Sequence, residues 1–195
     1  MQNTEVDTAK YDAYFITPEY HENISKNYFN KIEKILDYGI KIVQFRSKNL
    51  SCDQYCKIAK KIYKLCRKYD SLFIVNDLYN FNKNKYCDGV HLTSRNIIYD
   101  NINEIAPNYI TIGSCHNIKE IKICNKNKFK FIVISPVLDS GKKNGIGWHN
   151  FKKLSSKSNI PVFALGGMDY KRDINTVKNY GGTGIASISY FYNLF

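Results

Sequence analysis

The sequence predicts one (β/α)8 barrel, also known as a TIM barrel, and three observations lead to this prediction. Eight short apolar runs alternate with seven helical or loop segments, a pattern that favours parallel strands joined by right-handed crossovers. Polar clusters follow most of these runs, at the strand ends where a barrel carries its active site. The alternative is a doubly wound sheet, but no Gly-x-Gly-x-x-Gly pattern follows the first run.

The predicted strands are short apolar runs bounded by polar residues, glycine or proline. They cover residues 13–17, 40–45, 72–75, 89–92, 109–112, 129–134, 161–165 and 183–188. Pro18 stops the first run, because proline cannot donate to a strand ladder. We expect residues 1–195 to form one domain, long enough for a full core, with residues 1–12 as a polar leader.

The segments between the strands carry apolar residues at helical spacing. Helices are predicted at 23–38, 51–69, around 80, at 119–124, at 150–154 and at 169–180. Gly39 is the expected C-cap of the first helix, and Ser51 and Asp169 are expected N-caps. The segments after strands three and four are brief and little follows strand eight, so the sequence predicts a small barrel with a truncated final helix.

Composition limits the possible partners of the chain. The net charge of +12 comes mainly from lysines that are scattered along the sequence, whereas nucleic-acid surfaces usually cluster their charge and favour arginine. No apolar run approaches the length of a membrane span. The six cysteines form no zinc pattern, and the N-terminus is unlike a signal peptide. We expect a cytoplasmic protein with neither a nucleic-acid nor a membrane partner.

The second strand runs into a polar set that suits a polyanion. Alternate residues of a strand share a face, so Gln44, Arg46 and Lys48 are expected to point the same way. Taken alone, a strand that runs into a charged loop is the simpler interpretation. Because five other strand ends place polar residues around the same mouth, we interpret this set as a diphosphate clamp.

Other strand ends offer further candidate sites. Asn76 and Asp77 supply oxygen atoms of the kind that Mg²⁺ prefers, and the alternative is a turn pair that caps the next segment. The loop at 140–147 contains Lys142 and Lys143, which suit a lid over a polyanion or a plain solvated loop.

Residues that follow the fifth, seventh and eighth strands are further candidates at the mouth. Gly167 and Ser189 follow strands seven and eight, where barrels commonly bind a phosphate through backbone N–H groups. His116 lies where a general acid or base would be useful, although a ring that only bonds nearby backbone is equally expected. His91 is interpreted as structural. Cys115 is disfavoured as a nucleophile, since adjacent strand residues face opposite sides.

In order and spacing, these motifs resemble the thiamine-phosphate synthase and TenI superfamily from residue 14 to 189. The motifs are Gln44-Phe45-Arg46-Ser47-Lys48, Asn76-Asp77, Asp88-Gly89-Val90-His91-Leu92, Gly113-Ser114-Cys115-His116, Ser135-Pro136-Val137, Ala164-Leu165-Gly166-Gly167-Met168 and Ile188-Ser189. The resemblance implies a (β/α)8 barrel that condenses hydroxymethylpyrimidine diphosphate with thiazole phosphate, releases pyrophosphate and uses Mg²⁺.

The resemblance also implies roles for individual residues. The diphosphate would be held by Gln44, Arg46, Lys48, Ser114 and Lys143, with Ser140 in the same substrate loop. The pyrimidine or the diphosphate would lie near Asn76, and Mg²⁺ would bind Asp77. The thiazole phosphate would meet the backbone at Gly167, Ile188 and Ser189. Lys143, Arg46 and His116 are the candidate catalytic residues.

The sequence departs from the synthase pattern after the fourth strand. Synthases carry Gly-Gln-x-Asp there, with the aspartate as a second Mg²⁺ ligand, whereas this chain has Thr93-Ser94-Arg95-Asn96. Asn96 keeps an oxygen atom but loses the charge, so we expect a weaker metal site. The alternatives are a TenI-like thiazole tautomerase with His116 as proton shuttle, and a non-catalytic binder or regulator of thiamine precursors. A homodimer is a further possibility.

Overall fold

The described strands close into one parallel barrel. The computed structural model of the protein describes residues 11–100, 102, 105, 107–141 and 143–195, so most of the predicted leader lies outside the described residues. The strands, in chain order around the barrel, are β1 (Ala13–Ile16), β2 (Ile42–Phe45), β3 (Leu72–Asn76), β4 (Gly89–Leu92), β5 (Ile110–Cys115), β6 (Phe131–Ile134), β7 (Val162–Ala164) and β8 (Gly184–Ser187). Each strand pairs in parallel with the next, and β8 pairs with β1. The predicted (β/α)8 fold is confirmed.

A helix follows every strand, and their lengths differ widely. They are α1 (Ser25–Asp37), α2 (Cys52–Lys68), α3 (Leu78–Lys83), α4 (Ser94–Tyr99), α5 (Ile118–Lys126), α6 (Gly147–Ser155), α7 (Tyr170–Asn179) and α8 (Ser189–Tyr192), with a 3₁₀ turn at Glu22–Ile24. The predicted caps Ser51 and Asp169 both accept a backbone N–H at their helix starts. The short α3 and α4 and the four-residue α8 agree with the predicted small barrel and truncated final helix.

The core has two layers, because successive strand residues point alternately into the barrel and towards the helices. The inner layer consists of Tyr14, Ile16, Ile42, Ile74, Ile112, Phe131, Val133, Phe163 and Ala186. The outer layer lies between the strands and the helices and includes Phe15, Val43, Phe45 and Val75. A residue two positions beyond an inner-layer residue therefore faces the barrel interior, nearer its mouth.

Two helices differ from the sequence prediction. The helix α4 was not predicted, and Thr93 caps it with its side chain. The helix α6 begins at Gly147, three residues before the predicted start, and no side chain caps it. None of the described helices is long and apolar enough to cross a membrane.

Candidate active site

The carboxyl ends of the eight strands form one mouth, and three residues that were predicted to bind substrate face into it. Gln44, Asn76 and Ser114 each lie two residues beyond an inner-layer isoleucine. The alternation of the strands therefore points all three side chains to the interior, at its open end. This arrangement is the one that the sequence predicted for these residues.

Gln44 is the residue whose surroundings most clearly suit a ligand. Only 1% of its surface is exposed. Its Nε2 is buried and has no hydrogen-bond partner among the described residues. Buried polar groups are almost always paired in folded proteins, so an amide donor left free at the mouth is typical of a binding site.

The rest of the clamp is held by an acid that sequence analysis missed. The strand β2 ends at Phe45, so strand alternation does not extend to Arg46 and Lys48. Glu19 accepts hydrogen bonds from Arg46 Nη1 at 3.4 Å and from the Lys48 backbone N–H at 2.7 Å. It also accepts one from the Ser47 hydroxyl at 3.2 Å. The Lys48 side chain is exposed. Glu19 thus ties the loop after β1 to the clamp loop.

Asp77 combines a cap with an unusual backbone. It has φ 59° and ψ 162°, a conformation that residues other than glycine rarely adopt. Its Oδ1 accepts the Asn80 N–H at 2.9 Å, which caps α3 as the structural interpretation of Asn76-Asp77 expected. Its Oδ2 accepts from Asn76 Nδ2 at 3.2 Å. Strained conformations of this kind cluster at functional sites, and the role of Asp77 as a Mg²⁺ ligand stays a prediction.

Asn96 has a different environment from the one that a metal ligand needs. Its single side-chain oxygen accepts hydrogen bonds from the Thr93 backbone N–H at 3.0 Å and the Thr93 hydroxyl at 2.8 Å. Its Nδ2 donates to Asp100 at 2.6 Å. The side chain therefore completes the capping box of α4. Within the described ranges, no group of three or more His, Cys, Asp or Glu residues is placed to hold a metal ion.

A buried hydrogen-bond chain runs from the barrel interior to Ser114. The Tyr14 hydroxyl lies 3.0 Å from His91 Nδ1, and His91 Nε2 lies 2.8 Å from Ser114 Oγ. Burial lowers the pKa of His91 to about 3, and the positive charge of Arg46 contributes to the shift. His91 is therefore neutral and buried in the barrel, as its structural interpretation required.

His116 lies just beyond β5 and is fixed by its neighbours. Its Nδ1 is 2.6 Å from the Ser135 carbonyl oxygen, and its backbone N–H donates to the buried carboxylate of Glu120. Cys115 is buried in the opposite direction, with its Sγ 3.6 Å from that of Cys124. The Cys115 thiol therefore faces away from the barrel interior, as strand alternation predicts.

The loop between β6 and α6 carries Ser140 and Lys143, both exposed. The Ser140 N–H donates to the Lys143 carbonyl oxygen at 3.2 Å, and Asp139 Oδ1 accepts the Gly145 N–H at 2.7 Å. Lys142 lies outside the described residues. The lid proposed from the sequence stays a prediction.

The strands β7 and β8 are neighbours, so the residues that follow them, Gly167, Ile188 and Ser189, lie on one side of the mouth. Gly167 has φ +65°, and a Cβ there would lie 2.8 Å from the Leu138 side chain. Only glycine satisfies both constraints. The nearest atom to such a Cβ is the Asp139 backbone oxygen, at 2.5 Å, so the close packing of the loop after β6 accounts for the glycine. The predicted phosphate site at Gly167 stays a prediction.

The family follows from comparison with known proteins. The family model described as thiamine monophosphate synthase matches residues 13–191. The chain belongs to this thiamine monophosphate synthase family. The resemblance that the motifs indicated is confirmed.

Individual members of the thiamine monophosphate synthase family cover most of the chain. A putative thiamine-phosphate synthase 2 of Aquifex aeolicus is 34% identical over 169 residues, which are 85% of this chain and 90% of that protein. A thiamine-phosphate synthase of Fusobacterium nucleatum is 31% identical over 180 residues, or 90% of this chain and 86% of the relative. The solved thiamine phosphate pyrophosphorylase of Pyrococcus furiosus superposes with a TM-score of 0.76 at 28% identity, covering 93% of this chain and 87% of that one.

Proposed function

We propose that the chain is a thiamine-phosphate synthase, a transferase that joins hydroxymethylpyrimidine diphosphate to thiazole phosphate and releases pyrophosphate. Membership of the family supports the reaction, since residues 13–191 match its model. The observation that carries the proposal is the buried Nε2 of Gln44 at the mouth, which has no hydrogen-bond partner within the described part of the chain. Asn76 and Ser114 face the same space, and Arg46 borders it.

The reaction breaks the bond between the pyrimidine methylene and the diphosphate oxygen, and the electron pair leaves with pyrophosphate. The methylene becomes positively charged, and the thiazole nitrogen then forms a C–N bond to it. The main task of the protein is to stabilise negative charge on the leaving group. Arg46, Lys48 and Lys143 supply positive charge, whereas Gln44 and Ser114 supply neutral donors. No protein nucleophile takes part.

Mg²⁺ fits this site only in part. Asp77 offers one carboxylate. The Asn96 amide oxygen is engaged in the capping box of α4, and its amide nitrogen donates to Asp100. Mg²⁺ commonly binds one or two carboxylates and completes its shell with substrate phosphates and water. Asp77 would hold the ion together with the diphosphate, and the ion would neutralise charge on the leaving group.

The thiazole phosphate is assigned to the other side of the mouth. Backbone N–H groups near Gly167, Ile188 and Ser189 suit a phosphate, because they donate without bringing a side chain into the space. Asn76 ends β3, the strand beside β2, and on this proposal it would contact the pyrimidine or the diphosphate.

The direct test is product formation from the two purified substrates with Mg²⁺. We expect thiamine phosphate and pyrophosphate in equal amounts, measured by chromatography and a coupled phosphate assay. Lys143→Met should lower kcat/KM by at least about tenfold, because it removes charge stabilisation in the transition state. Lys126→Met is the matched control, since Lys126 lies in the last turn of α5, away from the mouth. No product from a well-folded sample at high enzyme concentration would refute the synthase.

A thiazole tautomerase is the second candidate, and the fixed ring of His116 favours it. With Nδ1 held by the Ser135 carbonyl, His116 Nε2 has no partner among the described residues and can accept a proton. Tautomerisation of the thiazole phosphate, lost in His116→Asn, would support this candidate. Tight binding of thiazole phosphate without any turnover would instead support a binder or regulator.

A further inference from the structure

We propose that Tyr14 and His91 are positioning residues that make the Ser114 hydroxyl a fixed hydrogen-bond donor to the diphosphate. The identity of the ligand rests on the proposed function. The direction of the hydrogen bonds rests only on the buried contacts of Tyr14 and Ser114 with His91. Neither Tyr14 nor His91 contacts the mouth directly: both are almost fully buried, with 0% and 3% of their surfaces exposed.

The three side chains form a line across the barrel. Tyr14 comes from β1, His91 from β4 and Ser114 from β5, and each lies on the interior face of its strand. The planes of the Tyr14 and His91 rings are nearly parallel, at 17°, and their centroids are 5.9 Å apart. The Tyr14 hydroxyl lies beside His91 Nδ1, and the other ring nitrogen, Nε2, lies beside Ser114.

The positions of the protons follow from counting donors and acceptors. In the part of the chain that the structure describes, His91 Nδ1 is the one acceptor within reach of the Tyr14 hydroxyl. A buried phenol hydrogen without an acceptor is strongly unfavourable, so Tyr14 donates and Nδ1 carries no proton. The ring proton is then on Nε2, which donates to Ser114 Oγ.

Ser114 is left with one free hydrogen. Its oxygen accepts the bond from His91, and among the described residues no other group bonds its hydroxyl. The hydroxyl hydrogen is therefore directed to the mouth, where it needs an acceptor. Diphosphate oxygens are acceptors only, so the chain prepares Ser114 for this ligand before it binds. The opposite tautomer would make Ser114 donate into the barrel and offer no hydrogen to the ligand.

The first test reads the tautomer directly. Long-range ¹H–¹⁵N spectra of the ¹⁵N-labelled wild-type protein distinguish a protonated from an unprotonated ring nitrogen, and His91→Gln identifies the His91 signals by their loss. We expect a protonated Nε2 and an unprotonated Nδ1. A proton on Nδ1, or a ring protonated on both nitrogens at pH 7, would overturn the proposal whatever the fate of the variants.

The second test measures pyrophosphate binding with Mg²⁺ by calorimetry. Ser114→Ala should weaken binding by about tenfold or more, because a hydrogen bond to a charged group is lost. Tyr14→Phe should weaken it by about three- to tenfold and give mixed His91 tautomers, since it leaves the Ser114 contact intact but removes the donor that fixes the ring. Tyr170→Phe is the control. The Tyr170 hydroxyl donates to Asp12 at 2.7 Å and does not bond Tyr14, His91 or Ser114.

The outcomes separate the positioning role from the proposed reaction. Pyrophosphate binding within twofold of wild type in Tyr14→Phe or in Ser114→Ala would overturn the positioning role, even if the protein makes thiamine phosphate. The expected tautomer together with weakened binding in both variants, in a protein that makes no thiamine phosphate, would support the positioning role and refute the synthase.

Discussion

Replacing Gln44 with methionine should weaken ligand binding while the free protein becomes as stable as the wild type or more stable. Gln44 is buried, and its Nε2 has no partner among the described residues. A buried unpaired donor costs about 1–3 kcal/mol, and methionine has a similar length and no donor. Allowing for imperfect packing of the new side chain, we expect Gln44→Met to gain about 1 kcal/mol in the free energy of unfolding.

Binding should change in the opposite direction. A hydrogen bond from an amide to a charged phosphate is worth about 1.5–3 kcal/mol, so Gln44→Met should weaken pyrophosphate binding by about ten- to a hundredfold. Urea denaturation of the free protein gives the stability, and calorimetry gives the affinity. The m-value is the slope of the free energy of unfolding against urea concentration. Equal m-values for wild type and Gln44→Met would show that both proteins undergo the same unfolding transition.

Asn84→Leu is the matched control for Gln44→Met. Asn84 is also a buried amide, but its Nδ2 donates to the Tyr86 carbonyl oxygen and its Oδ1 accepts the Tyr86 N–H, both at 3.1 Å. Leucine would leave both backbone groups of Tyr86 unpaired, and we expect a loss of about 1–3 kcal/mol. If Gln44→Met loses as much stability as Asn84→Leu, the Gln44 amide is a structural group and the reasoning is wrong.

Three further predictions concern Asn96, His116 and His91. Asn96→Ala should lower stability by about 1 kcal/mol, because the Asn96 half of the α4 capping box is lost, and calorimetry should show Mg²⁺ affinity in the presence of pyrophosphate within about threefold of wild type. His116→Asn should keep synthase activity within about threefold in a steady-state assay, since the proposed reaction needs no proton shuttle. The folded protein holds His91 at a pKa of about 3, below the ordinary value, so protonation favours unfolding. Wild type should therefore lose about 1.4 kcal/mol per pH unit from this group as pH falls below about 6.5, and urea denaturation of His91→Gln should lack that contribution.

The barrel was predictable because its signals are local. Short apolar runs with bounded ends, such as 13–17 and 72–75, can be recognised as strands without knowing which strand they pair with. The helix α4 lacked such a signal, since Ile97 is the single residue that it buries. The start of α6 was missed for a related reason: no side chain caps the helix at Ile146.

The site was predictable where strand alternation sets the direction of a side chain. Gln44 lies within β2, and its inward direction follows from period-two geometry. Arg46 lies beyond the strand, and its position depends on Glu19, 27 residues earlier in the chain. Tyr14 was likewise counted only as an apolar strand residue, because its contact with His91 spans 77 residues. Contacts between distant loops and strands leave no local pattern for sequence analysis to detect.

Asp77 and Asn96 differ in how fully the start of the following helix engages their side-chain oxygens. Asp77 is the N-cap of α3, whereas Asn96 lies in the first turn of α4 and completes the capping box with Thr93. A carboxylate has two oxygens and an amide has one. Asp77 uses Oδ1 for the Asn80 N–H, and its Oδ2 accepts only the longer contacts from Asn76 and Asn80, at 3.2 and 3.4 Å. The single oxygen of Asn96 already accepts two hydrogen bonds, at 2.8 and 3.0 Å. Of these two side chains, Asp77 has the less engaged oxygen. If Mg²⁺ binds at Asp77 as proposed, the other oxygens around the ion would come from the diphosphate and water.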